Sequence, residues 1–414
     1  MVAEKARLRA MRTPREVLSE ILGRVVPLES LESVPLSQAM GRVLARELVS
    51  DLDLPPFNKS AVDGFAVHAA DFSPESAPEG ERSLPVVGES RAGAPWTGTL
   101  TRGACVEIYT GAEVPVGADA IVMVEQSTRR GGEALLRDRP AAGAHVCPRG
   151  QDLALGASVM ARGRRIRASD LSLLASVGCE PVPVLVRPRV IVMTTGDELV
   201  APGTRPGVGQ IRESNTQHLA ALCSLAGAAV ENRGVVRDEP EVLEAALGSA
   251  LAACDVLITT GGVSMGRYDL VGAAFAALGV EPVLHKVAIK PGKPLWFGMA
   301  GRVPVFALPG NPVSCLVNHE VFVRPALQRL GGETEPAAAL RRGRWLGKEL
   351  AANPREQYLP VRLDPGADGV EGLEPVRWNG SADVAGIARA EAFAVIPIDT
   401  AVARGELVQF RPFA

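Results

Sequence analysis

ACDVLITTGGVSMG, Ala253 to Gly266, is an apolar run of strand length that closes on a glycine-rich turn. The same grammar recurs upstream in VRPRVIVMTTGDEL, Val186 to Leu199, and downstream in GRVPVFALPGNPVS, Gly301 to Ser314. Apolar runs without alternation read as strands buried on both faces. After the upstream run comes SNTQHLAALCSLAGA, Ser214 to Ala228, whose spacing predicts a helix with Leu219, Leu222 and Leu225 inward. Strand, loop and helix in repetition imply a three-layer α/β domain around a mainly parallel sheet, over residues 184–333.

Outside that span the texture changes. Val17, Leu18, Ile21, Leu22 and Val25 make an amphipathic stripe, and a second helix is expected from Leu36 to Val49 with Ser37 as its cap. Over residues 51–149, short runs such as LPVVGE, ACVEIYT and AIVMVEQ alternate with Gly and Pro turns, which predicts an inserted β module. Helical texture returns at Ser169 to Val177. Residues 1–50 and 150–183 therefore read as one discontinuous helical stalk domain, interrupted by the insert. Thr128 to Arg139 reads as a solvated hairpin. From residue 334 to 414, REQYLPVRLD, AFAVIPID and GELVQFRP predict a small C-terminal β-barrel domain. The expected fold class is multidomain, α/β plus β.

Composition bounds the function. A chain of 414 residues has room for several domains with cores of their own. Net charge of -3 and a pI near 6.1 leave no basic stripe for nucleic acid. No apolar run reaches membrane-span length, and MVAEKARLRAMRTPREV lacks a signal-peptide core, so a cytoplasmic protein without membrane contact is expected. Cys105, Cys147, Cys179, Cys223, Cys254 and Cys315 are scattered without a C-x-x-C pair, and the five in largely apolar contexts read as small buried hydrophobes. His68, His145, His218, His285 and His319 offer no zinc-ligand spacing. Neither G-x-G-x-x-G after a strand nor a P-loop occurs.

In open parallel sheets, ligands bind beyond the carboxyl ends of the strands. Those ends carry Thr195-Gly196-Asp197-Glu198, then Gly261, Gly262 and Ser264 with Asp269 close behind, then Pro309-Gly310-Asn311-Pro312. Glycines allow close backbone approach, turn amides line anion nests, and Pro312 at a helix start leaves amides free. The run HKVAIKPGKPLW, His285 to Trp296, points the same way. The chain has six lysines among 44 basic residues, and Lys286, Lys290 and Lys293 fall in this one run. A chain that otherwise prefers the planar Arg fork keeps the compact ammonium here, which suits a tetrahedral oxyanion or a phosphate. Asp197, Glu198, Asp238 and Asp269 lie among these groups. Carboxylates beside a phosphate are reconciled by a divalent cation, and magnesium favours one or two of them plus phosphate oxygens. Asp238 before Pro240 reads equally as an acid opening a helix, and Glu198 equally as one closing its turn. In the insert, PPFNKSAVDGFAV, Pro55 to Val67, gathers Asn58, Lys59, Ser60 and Asp63 on one loop, and Thr110 ends a strand.

With these residues in place the chain resembles the molybdopterin molybdenumtransferases, a family also represented by the E domain of gephyrin. PPFNKSAVDGFAV, EIYTGAEVPVGADAIVMVEQ, TTGDEL, GQIRESN, GGVSMGRYD, KVAIKPGKP and ALPGNPVS occur in the family's order and spacing. The resemblance implies insertion of molybdenum from molybdate into adenylylated molybdopterin, with release of AMP and help from Mg2+ or another divalent ion. It implies catalytic roles for Asp63, Thr110, Glu198, Asp238, Asp269, Lys286 and Lys290, with Glu198, Asp238 and Asp269 as metal-binding acids. Substrate contacts would fall on Asp152, Gly261, Gly262, Ser264, Lys293, Pro309, Gly310, Asn311 and Pro312. It further implies a homodimer whose active sites are shared between chains, and transient contact with the molybdopterin-adenylylating protein. The alternatives are the preceding adenylylation step, or a non-catalytic gephyrin-like scaffold. The insert and the C-terminal domain argue against the first, and the retained acids and lysines against the second. The chain departs from the family at Asn58-Lys59-Ser60, where Asp-Asn-Ser is frequent, and at Arg212-Glu213, where Tyr-Asp is usual. The C-terminal domain matches more loosely, around Tyr358 and Asn379-Gly380-Ser381, and receives no catalytic residue.

Overall fold

A computed structural model describes residues 11–73, 81–262, 270–334 and 340–413. The chain divides into two compact units, one of Arg46–Arg162 with Ser169–Glu180, the other of Met1–Ala45, Gly163–Ala168 and Pro181–Ala414. The first is built on a six-stranded sheet, ordered Ala120–Met123, Gly64–Val67, Cys105–Ile108, Arg82–Ser90, Glu133–Leu136 and Ser127–Arg130. Phe65, Val67, Phe72, Leu84 and Leu136 fill one face of it. The last two strands pair antiparallel as the expected charged hairpin.

The second unit opens with helix α1, Pro14–Arg24. Thr13 Oγ1 accepts from the Glu16 N–H at 3.3 Å, and the Glu16 carboxylate accepts from the Thr13 N–H at 2.8 Å. This capping box, with Pro14 in the first turn, satisfies amides that a helix start leaves bare. The second helix expected from Leu36 to Val49 stops at Ala39. Gly41 turns the backbone to φ 75°, and Val43 and Leu44 then bridge to Arg165 and Val184. Both side chains are buried, so extended pairing wins over a helix of marginal length.

The α/β core comprises β1 (Arg189–Thr195), α2 (Asn215–Leu225), β2 (Ala229–Val236), α3 (Pro240–Ala253), β3 (Val256–Thr260) and α4 (Leu270–Ala277). It continues through β4 (Glu281–His285), β5 (Ile289–Lys290), β6 (Trp296–Ala300) and β7 (Val303–Leu308) to α5 (Pro312–Asn318), a π-helical turn and α6 (Arg324–Leu330). The sheet order is β2-β1-β3-β7-β6-β4; β2, β1, β3 and β7 are parallel, and β6 runs antiparallel to β7 and β4. Val190, Val192, Phe306 and Leu308 pack on one face with Leu219 and Leu222 of α2 and with Leu316 and Leu327. Ile191, Met193, Leu257 and Val305 pack on the other with Leu243 and Leu247 of α3 and Phe275 of α4. Leu225, expected inward, is the last residue of α2 and is 62% exposed.

After α6 come β8 (Arg341–Trp345), β9 (Glu356–Asp364), β10 (Gly372–Pro375), β11 (Ala392–Ile396) and β12 (Leu407–Pro412). They pair in the order β9-β10-β8-β12-β11, and β11 returns to β9, closing a five-stranded barrel with no free edge. The short strand β5 leaves the α/β core and pairs in parallel with β9, Ile289 opposite Glu356 and Lys290 opposite Gln357.

Candidate active site

The chain passes from β1 outward to β2 and then crosses to β3 on the other side of β1. The crevice beyond the carboxyl ends of β1 and β3 is therefore the place where an open parallel sheet takes a ligand. Register keeps the ends level, with Thr194 opposite Thr260 and Thr260 opposite Leu308. A cleft of about 770 Å³ opens there, lined by Thr195, Glu198, Gly261, Gly262, Pro309, Gly310 and Asn311, and walled by Trp296 and Phe275. The two rings stack with centroids 4.8 Å apart. Gly261 and Gly262 stand at φ 85° and 64°, where L side chains are strained. A Cβ on Gly261 would lie 2.4 Å from the Thr195 carbonyl oxygen, and one on Gly262 2.4 Å from Val271 Cγ2. Only glycine lets the backbone turn there.

The lysine run splits. Lys286 N–H donates to the Leu295 carbonyl at 2.8 Å and Val287 N–H to the Lys293 carbonyl at 3.1 Å, folding the run back on itself. That brings Lys286 and Lys293, both half-buried, to the cleft wall. Lys286 holds φ 71°, a conformation rare for a non-glycine residue and concentrated at functional sites. Lys290 does not line this cleft. It is exposed on β5 beside the barrel, while its neighbour Ile289 is buried, as strand alternation requires.

Glu198 and Asp238 bring negative charge to the same cleft. Burial lifts the Asp238 carboxyl above its ordinary range; the Thr195 hydroxyl offsets part of that, and Asp197 and Glu198 push it further up. The Asp238 N–H donates to Asp197 Oδ1 at 3.4 Å. Among the described residues no set of three His, Cys, Asp or Glu side chains could hold a metal ion unaided. The crowded acids thus fit a divalent ion only if ligand oxygens complete its shell. Ser264 and Asp269 lie outside the described residues.

In the other unit, Thr110 donates from both its N–H and its hydroxyl to Asp63 Oδ1, each at 2.7 Å. These bonds hold the Asp63 carboxyl below its usual range. Asn58 Oδ1 accepts from the Arg149 N–H at 2.8 Å, so this departure from the family serves as a loop tie. Asp152 is exposed, its N–H donating to the Leu54 carbonyl at 2.8 Å.

Several cleft residues escaped the sequence reading. Asn215, Thr260 and Trp296 sit at or beside it without having been given a site role, whereas Thr195 was already named at its strand end; the Thr-Thr pair before Gly261 was the available signal for Thr260. Ser381 reaches the third turn from beyond β10: its hydroxyl accepts from Asn311 Nδ2 at 3.0 Å and its carbonyl from the Val313 N–H at 3.0 Å. No local pattern marks that contact.

Comparison with known proteins accounts for the arrangement. Residues 12–178 match the MoeA N-terminal region (domain I and II), residues 191–329 a probable molybdopterin binding domain, and residues 345–413 the MoeA C-terminal region (domain IV). The chain is 37% identical to molybdopterin molybdenumtransferase 2 of Mycobacterium tuberculosis over 388 residues, covering 91% of this chain and 94% of that one. It is 33% identical to the molybdopterin molybdenumtransferase of a Nostoc species over 409 residues, covering 96% and 92%. The solved structure of the molybdopterin biosynthesis moeA protein of Pyrococcus horikoshii superposes with a TM-score of 0.83 at 28% identity, covering 97% of this chain and all of that one. No helix among the described residues is long and apolar enough to cross a membrane. With its three matched regions in order and relatives alike along nearly the whole length, the chain belongs to the molybdopterin molybdenumtransferase family.

Proposed function

We propose that the protein is a transferase of molybdenum cofactor biosynthesis, which inserts molybdenum from molybdate into adenylylated molybdopterin and releases AMP. The observation that carries this reading is the cleft at the β1–β3 switch point, which Lys286 and Lys293 line together with Glu198, Asp238 and the glycine turns. Such a cleft suits a phosphate-bearing ligand: lysines for the phosphate and backbone turns for its oxygens. Glu198 and Asp238, with Asp269, would hold Mg2+ together with the substrate phosphate, and the ion would neutralise charge that develops as the phosphate bond breaks. Lys290, exposed beside the barrel, would receive the molybdate oxyanion. Pro309, Gly310, Asn311 and Pro312 would contact the substrate with Gly261, Gly262 and Ser264.

The reading extends to assembly. Asp63, Thr110 and Asp152 serve the cleft of a second copy in a homodimer with shared active sites. The protein works in the cytoplasm and receives its substrate by transient contact with the adenylylating protein. Four domains carry these parts: 1–50 with 150–183, 51–149, 184–333 and 334–414. Adenylylation itself would leave the matched regions outside 191–329 without a use. The test is AMP release from adenylylated molybdopterin, measured with and without molybdate. Molybdate-dependent AMP release supports the assignment, and its absence in the presence of Mg2+ refutes it.

A further inference from the structure

Asn215 opens α2 beside the cleft. Its Nδ2 donates twice, to Thr260 Oγ1 at 3.2 Å and to the Gly310 carbonyl at 2.8 Å. The Thr260 hydroxyl accepts from Asn215 and lies 3.0 Å from the Pro309 carbonyl and 3.3 Å from Cys315 Sγ. The Gly310 carbonyl can only accept, and this sets which end of the amide faces the turn. Cys315 Sγ also donates to the Pro309 carbonyl, at 2.8 Å. Among the described residues Asn215 Oδ1 is buried with no partner. A bare buried acceptor is costly, and it stands here beside two donors that are both used.

The consequence lies in the third turn. The carbonyls of Pro309 and Gly310 are both drawn back, toward Thr260 and Asn215 respectively. A trans peptide holds its C=O and N–H antiparallel, so the N–H groups of Gly310 and Asn311 turn the opposite way. Gly310 gives the turn little rigidity of its own, since a Cβ there would meet nothing nearer than Gly261 Cα at 3.9 Å. The bonds from Thr260 and Asn215 hold both of its carbonyls from outside the turn.

We propose that Asn215 is a positioning residue: its side-chain amide locks the Gly310–Asn311 peptide so that the turn presents N–H donors to the substrate phosphate. The role rests on the reading of Pro309–Pro312 as a substrate-binding turn. Asn215→Leu keeps the approximate shape, adds no charge and removes both donors. AMP titrated calorimetrically against this variant should bind about tenfold more weakly, the loss expected when a hydrogen bond to a charged group is misdirected. In turnover, KM for adenylylated molybdopterin should rise in step while kcat and the melting temperature stay close to the parent's. Thr260→Val, which removes the relay hydroxyl, should weaken AMP binding several-fold, and Thr260→Ser should restore it. AMP affinity within about twofold of the parent in Asn215→Leu overturns the role. Should that variant not fold, AMP affinity within about twofold of the parent in Asn215→Ala overturns it instead. A parent that neither binds AMP nor releases it from adenylylated molybdopterin would overturn the functional reading itself, and the role of Asn215 with it.

Discussion

Replacing the lysines one at a time separates the two places to which the fold has sent them. Lys286 and Lys293 are half-buried at the cleft wall, whereas Lys290 is exposed on β5. At about 4 Å, an ammonium–phosphate contact is worth ~4 kcal/mol at an effective dielectric of about 20, and ~1 kcal/mol in water. After desolvation, a hydrogen bond to a charged group retains ~1.5–3 kcal/mol, roughly ten- to a hundredfold in affinity. An exposed pair retains ~0–1 kcal/mol, less than about fivefold. Lys286→Ala and Lys293→Ala should therefore weaken AMP binding by ten- to a hundredfold, whereas Lys290→Ala should leave AMP nearly untouched and raise the molybdate needed for half-maximal AMP release. Calorimetric AMP titrations at fixed ionic strength, paired with molybdate titrations of turnover, measure both. Equal AMP losses for Lys286→Ala and Lys290→Ala would refute the division. So would a Lys286→Ala variant that binds AMP like its parent.

Two further outcomes are expected. The Asp238 carboxyl titrates above its unfolded value of 3.8, so the folded state holds that proton more tightly. Its favourable contribution is complete below the unfolded value and is lost as pH rises through the folded one, leaving a net cost at neutral pH. Asp238→Asn should thus raise the melting temperature of the ligand-free protein at pH 7, with the gain vanishing in acid, while raising the magnesium required for AMP release; a lowered melting temperature would contradict the sign. If the homodimer shares its sites, Asp63→Ala and Lys286→Ala homodimers should each be nearly inactive, and co-refolding them should recover about a quarter of parental activity, because about half the dimers are mixed and one of their two clefts is intact. Mixed dimers confirmed by mass but without activity would place both residues in one chain's own cleft.

The α/β core was legible because its central strands β1, β3 and β7 are buried on both faces and end on turns rich in glycine and proline. Gly261 and Gly262 could be picked out from sequence alone, since positive φ beside a packed backbone leaves no other residue. The strand ends that build the cleft were legible for the same reason. What escaped depends on pairings between distant segments. Residues 40–49 carry enough apolar spacing for a helix, but Val43 and Leu44 are consumed by bridges to Arg165 and Val184. The three lysines look like one patch in sequence, yet β5 pairs with β9 and carries Lys290 out of the cleft that holds the other two. Asn215 falls in GQIRESN and Ser381 in Asn379-Gly380-Ser381, yet neither stretch assigns its side chain a role until the fold sets both against the Pro309–Pro312 turn.

The scarcity of lysine acquires a physical sense when the ion pairs are traced. Arg supplies the structural ones, as in Arg189–Asp255 at 2.9 Å and Arg324–Glu320 at 2.9 Å. Among the described residues no lysine forms an ion pair. Lys286 and Lys293 therefore stand in the same cleft as Glu198 and Asp238 without neutralising them, and the acids repel one another. Such a site is held ready at some expense of stability, as functional sites commonly are. Its two charge sets cannot be satisfied by one kind of ion. A phosphate alone answers the lysines and aggravates the acids; a divalent cation alone answers the acids and aggravates the lysines. Together they answer both, so AMP and Mg2+ should bind cooperatively through this cleft. A ligand at a hundred times its Kd stabilises a fold by ~2.7 kcal/mol, and the rise in melting temperature with AMP and Mg2+ together should exceed the sum of the rises with each alone. Strictly additive shifts would mean that the acids and the lysines of the cleft do not share a ligand.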